Sequence, residues 1–158
     1  MKKILCFILT AFLIVNCFVF SVSASENSFY VSDAVIITPE NPSITDKYAA
    51  EKLKYYLDKI TGENIQILDD TSQVEYEICV GATNRSTEDF SDSKDGNYII
   101  KSDSDSLIID GAGNKGTING VYAFLEKYCD CHWYEAEVIV IPENSNLTVD
   151  ADIDIEYT

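Results

Sequence analysis

Apolar positions along this chain follow two rhythms, and each predicts its own kind of element. Phe29–Ile37 is a run rich in Val and Ile that predicts a strand, and it stops at Thr38-Pro39-Glu40-Asn41-Pro42, where two prolines cannot join a ladder. Ala49, Leu53, Tyr56, Leu57 and Ile60 then recur at three- and four-residue spacing, which is the apolar stripe of a helix that Thr45 can cap and Gly62 ends. Asn64–Leu68 and Glu75–Val80 read as strands on either side of an Asp-Asp-Thr-Ser turn. In the second of these, Val74, Tyr76, Ile78 and Val80 alternate with Glu75, Glu77 and Cys79, a pattern with one buried and one solvated face. The polar stretch Gly81–Lys94 closes on the turn Asp95-Gly96, after which Asn97–Ser102 and Leu107–Asp110 form the arms of an antiparallel hairpin. A second helix fits Thr117–Tyr128, with Ile118, Val121, Tyr122, Leu125 and Tyr128 on one face. His132–Tyr134, Val138–Ile141 and Leu147–Val149 are short strand signals. The tail alternates Asp150, Asp152, Asp154 and Glu156 with Ala151, Ile153, Ile155 and Tyr157, as an edge strand or an extended linker does.

The order strand, helix, strands, hairpin, helix, strands argues for an α/β chain of the α+β sandwich kind: a mixed β-sheet with two helices on one face. Two helices cannot cover both faces of a five- or six-stranded sheet, so the other face is expected to be wet or to rest on something.

Composition divides the chain in two. Residues 1–24 open with Lys2 and Lys3, continue in an apolar run from Ile4 to Phe20, and end in Ser21-Val22-Ser23-Ala24, the profile of a signal peptide. The alternative is an uncleaved leader that anchors the protein in the membrane. Residues 25–158 then form one domain, expected to be secreted. Net charge is −16 over the whole chain and becomes −18 when Lys2 and Lys3 leave with the leader. Such an acidic surface repels phosphate backbones and argues against a nucleic-acid partner. With 46% apolar residues the chain can build a core. His132 is its one histidine, which excludes mechanisms built on two.

Candidate chemistry is sparse. Gly111-Ala112-Gly113-Asn114-Lys115-Gly116 spells G-x-G-x-x-G between a strand and a helix, but the strand before it is the return arm of a hairpin, and no nucleotide is expected. The bland reading is a glycine turn that lets the second helix pack closely on the sheet. Cys129, Cys131 and His132 cluster, yet with Cys79 as the one other cysteine after the leader the ligand set for zinc is incomplete, and no metal or cofactor is expected. The three cysteines either hold a Cys79–Cys129 or Cys79–Cys131 disulfide with a spare thiol, or are all buried thiols. Asp103, Asp105 and Asp110 offer oxygen to calcium without the twelve-residue loop such a site needs, and read better as solvated charge. Trp133 and Tyr134 have the flat faces that stack on sugar rings, although core packing competes for Trp133.

Several blocks together resemble the N-terminal domain of α-glucuronidases and the equivalent domain of bacterial β-N-acetylhexosaminidases. Ala49-Ala50-Glu51-Lys52-Leu53-Lys54-Tyr55-Tyr56-Leu57-Asp58-Lys59-Ile60-Thr61-Gly62 is similar to that family's "A-x-E-L-x-x-Y-L-x-x-I-T-G" segment, and Ile78–Asn84 to its "I-x-V-G-x-T" strand. Asp95–Ile100 resembles "D-G-Y-x-I", Gly116–Glu126 resembles "G-x-x-Y-G-V-Y-x-F-L-E", and Cys131-His132-Trp133-Tyr134 resembles "G-C-R-W-Y" ahead of a "V-x-V-I-P" echo at Val138–Pro142. Asp130 stands where the family favours Gly, His132 where it favours Arg, and Asn119 where an aromatic is common. The resemblance implies an α/β sandwich that packs on a separate (β/α)8 barrel holding the catalytic carboxylates. This chain ends at Thr158, roughly where that barrel would begin, so no catalytic residue is carried over.

The resulting expectation is a secreted accessory domain of glycoside-hydrolase type, associated with carbohydrate metabolism and lacking the barrel in this chain. Its partner is a (β/α)8 domain on the open sheet face, or a glycan. The alternative is a stand-alone carbohydrate-binding or protein-docking module, for which Asn84, Arg85, Trp133 and Tyr134 are the candidate binding residues.

Overall fold

The computed structural model describes residues 27–135 and 138–158; the expected leader, residues 1–24, lies outside them. Its centre is a six-stranded mixed sheet built from β2 (Val35–Thr38), β3 (Ile67–Asp69), β4 (Glu77–Val80), β5 (Tyr98–Ser102), β6 (Ser106–Gly111) and β10 (Asp154–Tyr157). In space the order is β10-β5-β6-β4-β2-β3. The four strands β3, β2, β4 and β6 are parallel, and the margin is antiparallel, β5 on β6 and β10 on β5. Two short ribbons complete the fold: β1 (Ser28–Tyr30) on β9 (Thr148–Asp150), and β7 (His132–Glu135) on β8 (Val138–Val140). This is the mixed sheet with two helices that the residue pattern predicts.

The expected first strand over Phe29–Ile37 is instead β1, a 3₁₀ turn at Val31–Asp33, and β2. Tyr30 ends one ribbon and Val35 opens the main sheet, so β-branched residues alone could not reveal the break. The expected strands around the Asp-Asp-Thr-Ser turn also do not pair with each other. They flank β2 on opposite sides, because β2, the helix over Ile44–Thr61 and β3 form a parallel crossover unit. The tail takes the edge-strand option, with Asp154 opposite Lys101 and Tyr157 opposite Tyr98.

Helix α1 spans Ile44–Thr61 and begins at Ser43, not at Thr45. The Ser43 hydroxyl accepts the Asp46 N–H at 3.0 Å and donates to the Asp46 carboxylate at 2.7 Å, a reciprocal cap that frees Thr45 to enter the first turn. At the other end Gly62 is left-handed, as its position predicts. The stripe Ala49, Leu53, Tyr56, Leu57 and Ile60 is buried throughout. Helix α2 covers Gly116–Tyr128 and buries Thr117, Gly120, Val121, Phe124 and Leu125. Both helices pack on the sheet face formed by Ile36, Ile78, Val80, Ile100, Leu107 and Ile109, which supply the main core.

The opposite face is not bare. Cys79 and Ile108 share a row there, and Ile99 stands opposite Asp110 in the next. Over these residues runs the polar segment after β4. Arg85 pairs with Glu77, Ser86 donates to Asp110 at 2.6 Å, and Lys101 bonds Glu88. Ile37, Cys79 and Ile99 are buried as a result, so the side read from sequence as solvated is partly covered by the chain itself.

After α2 the chain turns at Asp130, the one non-glycine residue with positive φ (54°) among the described residues. The Cys129 and Cys131 N–H groups both donate to the Leu125 carbonyl there. This is the position where the resembling family favours Gly, and a left-handed residue explains why. Asp130→Gly is expected to raise stability by about 1 kcal/mol, and Asp130→Val to lower it, in urea denaturation. An Asp130→Val protein as stable as the wild type would contradict this account.

Candidate functional site

Beside β4, on the face away from the helices, lies a cleft of about 460 Å³ lined by Gln73, Glu75, Glu77, Arg85, Asp103, Asp105 and Ser106, with Val74 and Ile108. Arg85 forms one wall. Its Nε faces both Glu77 oxygens at 3.1 and 3.2 Å, Nη2 donates to the Ser72 carbonyl at 2.6 Å, and Nη1 reaches Asn84 Oδ1 at 2.6 Å and the Asp70 carbonyl. Asn84 is tied to the same turn, its backbone N–H to the Asp70 carboxylate at 2.8 Å and its side-chain amide to the Asp70 carbonyl at 2.7 Å. Both residues therefore clamp the chain after β3 to the chain after β4.

Acidic groups supply the remainder of the cleft. Asp103 caps the hairpin turn, accepting from the Ser106 N–H at 2.8 Å, the Ser106 hydroxyl at 3.0 Å and the Asp105 N–H at 3.2 Å. Burial pushes its carboxyl up, but those bonds outweigh burial and hold it below the usual range. Asp105 is raised, first by its hydrogen bond to Asp103, then by burial and by the Asp103 and Glu77 charges. The pair thus differs in proton affinity. Among the described residues no three His, Cys, Asp or Glu side chains are grouped to hold a metal ion.

Asp110, 3% exposed, is the strongly buried acid of this face. Burial raises its carboxyl above the usual range, against bonds from Ser86 and from the Gly111 N–H at 2.7 Å, and the Asp46 and Glu88 charges add to the rise. A carboxyl raised by folding contributes stability that is complete below its unfolded value of about 3.9 and is lost as pH rises through its folded value. Asp110→Asn retains an acceptor for Gly111 without the buried charge. Its stability relative to wild type is expected to rise between pH 3.5 and pH 7 in paired urea titrations. A relative fall over that interval would refute the assignment.

Trp133 and Tyr134 lie elsewhere, on β7 beside the helices. Trp133 is half-buried, meets Tyr56 and Tyr122 edge-on at 5.5 and 5.1 Å, and donates its indole N–H to the Tyr56 hydroxyl at 3.2 Å. Tyr134 next to it is exposed, with its ring tilted against His132 at 6.0 Å. Trp133 therefore belongs to an aromatic cluster with Tyr56 and Tyr122 on the helix side, Tyr134 stands exposed beside it on the same strand, and Asn84 and Arg85 belong to the cleft on the other sheet face. The fold does not bring the four candidate residues into one site.

The glycine-rich turn acts through close approach. A Cβ on Gly111 would stand 2.3 Å from the Gly116 carbonyl carbon, and one on Gly116 would stand 2.4 Å from the Asn97 carbonyl oxygen. Gly113 is left-handed and passes over the Asp95 carboxylate, which accepts the N–H groups of Asn114 at 2.8 Å and Lys115 at 3.1 Å. Amides at the start of α2 are thus bound by the protein's own carboxylate. The sequence pattern marks Asp95 only as a turn residue; its place just before Gly96 gives no hint of a reach to residues 114–115.

Of the cysteine alternatives the structure takes the second, with Cys79, Cys129 and Cys131 all free and buried. Burial, then the Glu77 charge, pushes the Cys79 thiol up to about 12, and burial, then Asp130, pushes Cys131 up to about 11. Burial raises Cys129 as well. At neutral pH all three are thiols, poor nucleophiles and small apolar fillers. No helix among the described residues is long and apolar enough to cross a membrane.

No protein-family model matches the chain, and no curated protein matches it in sequence. Solved structures do match in fold. A family GH115 4-O-methyl-α-glucuronidase with specificity for decorated arabinogalactans aligns with 84% of this chain and 18% of its own, at TM-score 0.55 and 16% identity. CpGH84B aligns with 85% of this chain and 20% of its own, at TM-score 0.49 and 22% identity. A GH138 enzyme targeting pectin rhamnogalacturonan II aligns with 60% of this chain and 10% of its own, at TM-score 0.45 and 14% identity. The chain spans about a fifth or less of the length of these structures, which are glycoside hydrolases, and with the α-glucuronidase it shares a fold.

Proposed function

We propose that this chain is a secreted, non-catalytic accessory domain of glycoside-hydrolase type, associated with carbohydrate metabolism. The observation that carries the reading is the fold shared with 18% of an α-glucuronidase over 84% of this chain, that is, with a small part of a much larger enzyme. The resemblance of the helix, strand and Trp-Tyr blocks to the N-terminal domain of such enzymes supports it. A (β/α)8 catalytic domain is the partner this reading implies. The purified protein is expected to release no product from aryl glycosides or from uronic-acid-capped oligosaccharides. Sustained turnover that survives repurification, and that disappears on substitution of a single carboxylate, would overturn it.

One observation favours a second reading, a carbohydrate-binding module: Trp133 is only half-buried and Tyr134 beside it is exposed, so β7 offers aromatic surface to a ligand. Titration with plant polysaccharides should then change Trp133 fluorescence saturably, and an unchanged spectrum at all concentrations rejects β7 as the binding surface.

A further inference from the structure

We propose that a second cleft, at the end of β10, binds a neutral pyranose ring. It has a volume of about 360 Å³ and is lined by Lys94, Asp95, Gly96, Asn97, Asn119 and Tyr157, together with Thr158. That volume is at the low end of the roughly 300–1,000 Å³ typical of small-ligand sites. The Tyr157 ring lies flat on Tyr98, with centroids 5.3 Å apart and planes 10° from parallel, yet Tyr157 remains 59% exposed. One face is therefore held by the protein and the other is presented to the cleft as a rigid apolar wall.

Polar groups surround that wall. Among the described residues the Asn97 carboxamide and the Lys94 ammonium make no hydrogen bond or ion pair with the protein. Asn119 donates its amide to the Gly96 carbonyl at 3.1 Å, which fixes the side chain and leaves its Oδ1 as an acceptor. Asp95 is held by the Asn114 and Lys115 N–H groups through Oδ1, while its Oδ2 is 4.0 Å from the Lys115 ammonium. A flat apolar face edged by donors and acceptors, of which Asn119 is held in place, matches a pyranose, which has an apolar C–H face and a rim of hydroxyls. Lys94 and Asp95 balance each other in the cleft, and the overall charge of −16 then favours a neutral sugar over an anionic one. The choice of a saccharide over another ring-shaped polyol rests on the carbohydrate reading above; the location of the site does not.

The test is a backbone amide NMR titration of the purified protein with xylohexaose, mannohexaose, chitotetraose and trigalacturonic acid. Saturable shifts at Gly96, Asn97, Asn119 and Tyr157 are expected with at least one neutral oligomer and not with the acid. Tyr157→Ala should weaken that binding about tenfold, as loss of one stacked ring does, with Tyr134→Ala unchanged. Asn119→Ala provides a second variant, and the spectrum itself reports whether each variant is folded. Shifts confined to residues around Trp133 and Tyr134 would overturn this cleft and leave the binding-module reading in place. No saturable shift with any neutral oligomer would overturn the cleft and leave the accessory-domain reading untouched.

Discussion

Gly116→Val is expected to destabilise the protein by about 3 kcal/mol or more, because the first turn of α2 has no room for a side chain. Gly111 and Gly116 meet backbone to backbone where β6 passes into α2, and the carbonyl of Asn97, the residue before β5, enters the same contact. A side chain at residue 116 must push the helix off the hairpin, and that movement would break two further sets of contacts. One is the pair of N–H bonds from Asn114 and Lys115 to Asp95. The other is the 2.9 Å bond from the Thr117 hydroxyl to Asp46, which ties the starts of the two helices together. Urea unfolding checks the size. A loss below about 0.5 kcal/mol, the range of ordinary surface substitutions, would show that the turn has slack the geometry does not reveal.

Phe124→Ala is the second large effect, with an expected loss of about 3–5 kcal/mol. Phe124 is 1% exposed and stacks on Tyr128 with centroids 5.7 Å apart. Removal of its ring leaves a cavity under α2 that a close-packed interior refills poorly. Tyr122 is the informative comparison, since the sequence stripe places it on the buried face and Phe124 off it. Tyr122 is only partly buried, so Tyr122→Ala should cost clearly less. Equal losses from the two variants would restore the sequence stripe as the true core face.

That contrast shows where the residue pattern is legible and where it is not. For α1 the apolar spacing alone identifies the buried face, since Ala49, Leu53, Tyr56, Leu57 and Ile60 all reach the core. For α2 the same logic selects Ile118, Val121, Tyr122, Leu125 and Tyr128, whereas the helix is turned to bury Thr117, Gly120 and Phe124 with Val121 and Leu125, and leaves Ile118, Tyr122 and Tyr128 only partly buried. Gly120 explains the rotation: a Cβ there would lie 2.9 Å from Ile109 and 3.4 Å from Tyr98, so the sheet touches the helix at a residue that hydropathy counts as neutral. The candidate site was less legible. Asn84 and Arg85 follow β4 and Trp133 lies on β7, and chain distance says nothing about which sheet face each element reaches. The cleft beside Tyr157 joins the Asp95 turn, the first turns of α2 and the end of the tail, three segments that meet only when β10 pairs with β5.

By itself the sequence determined the two helices, the hairpin, the left-handed glycine after α1 and the mixed sheet, because these depend on local spacing and on backbone stereochemistry. Only the tertiary structure decided that β3 and β4 flank β2, that the segment after β4 covers part of the second face, that Asp95 occupies the start of α2, and that the three cysteines remain free thiols. Each of those outcomes depends on which groups distant along the chain meet in space, and no window of neighbouring residues contains that information.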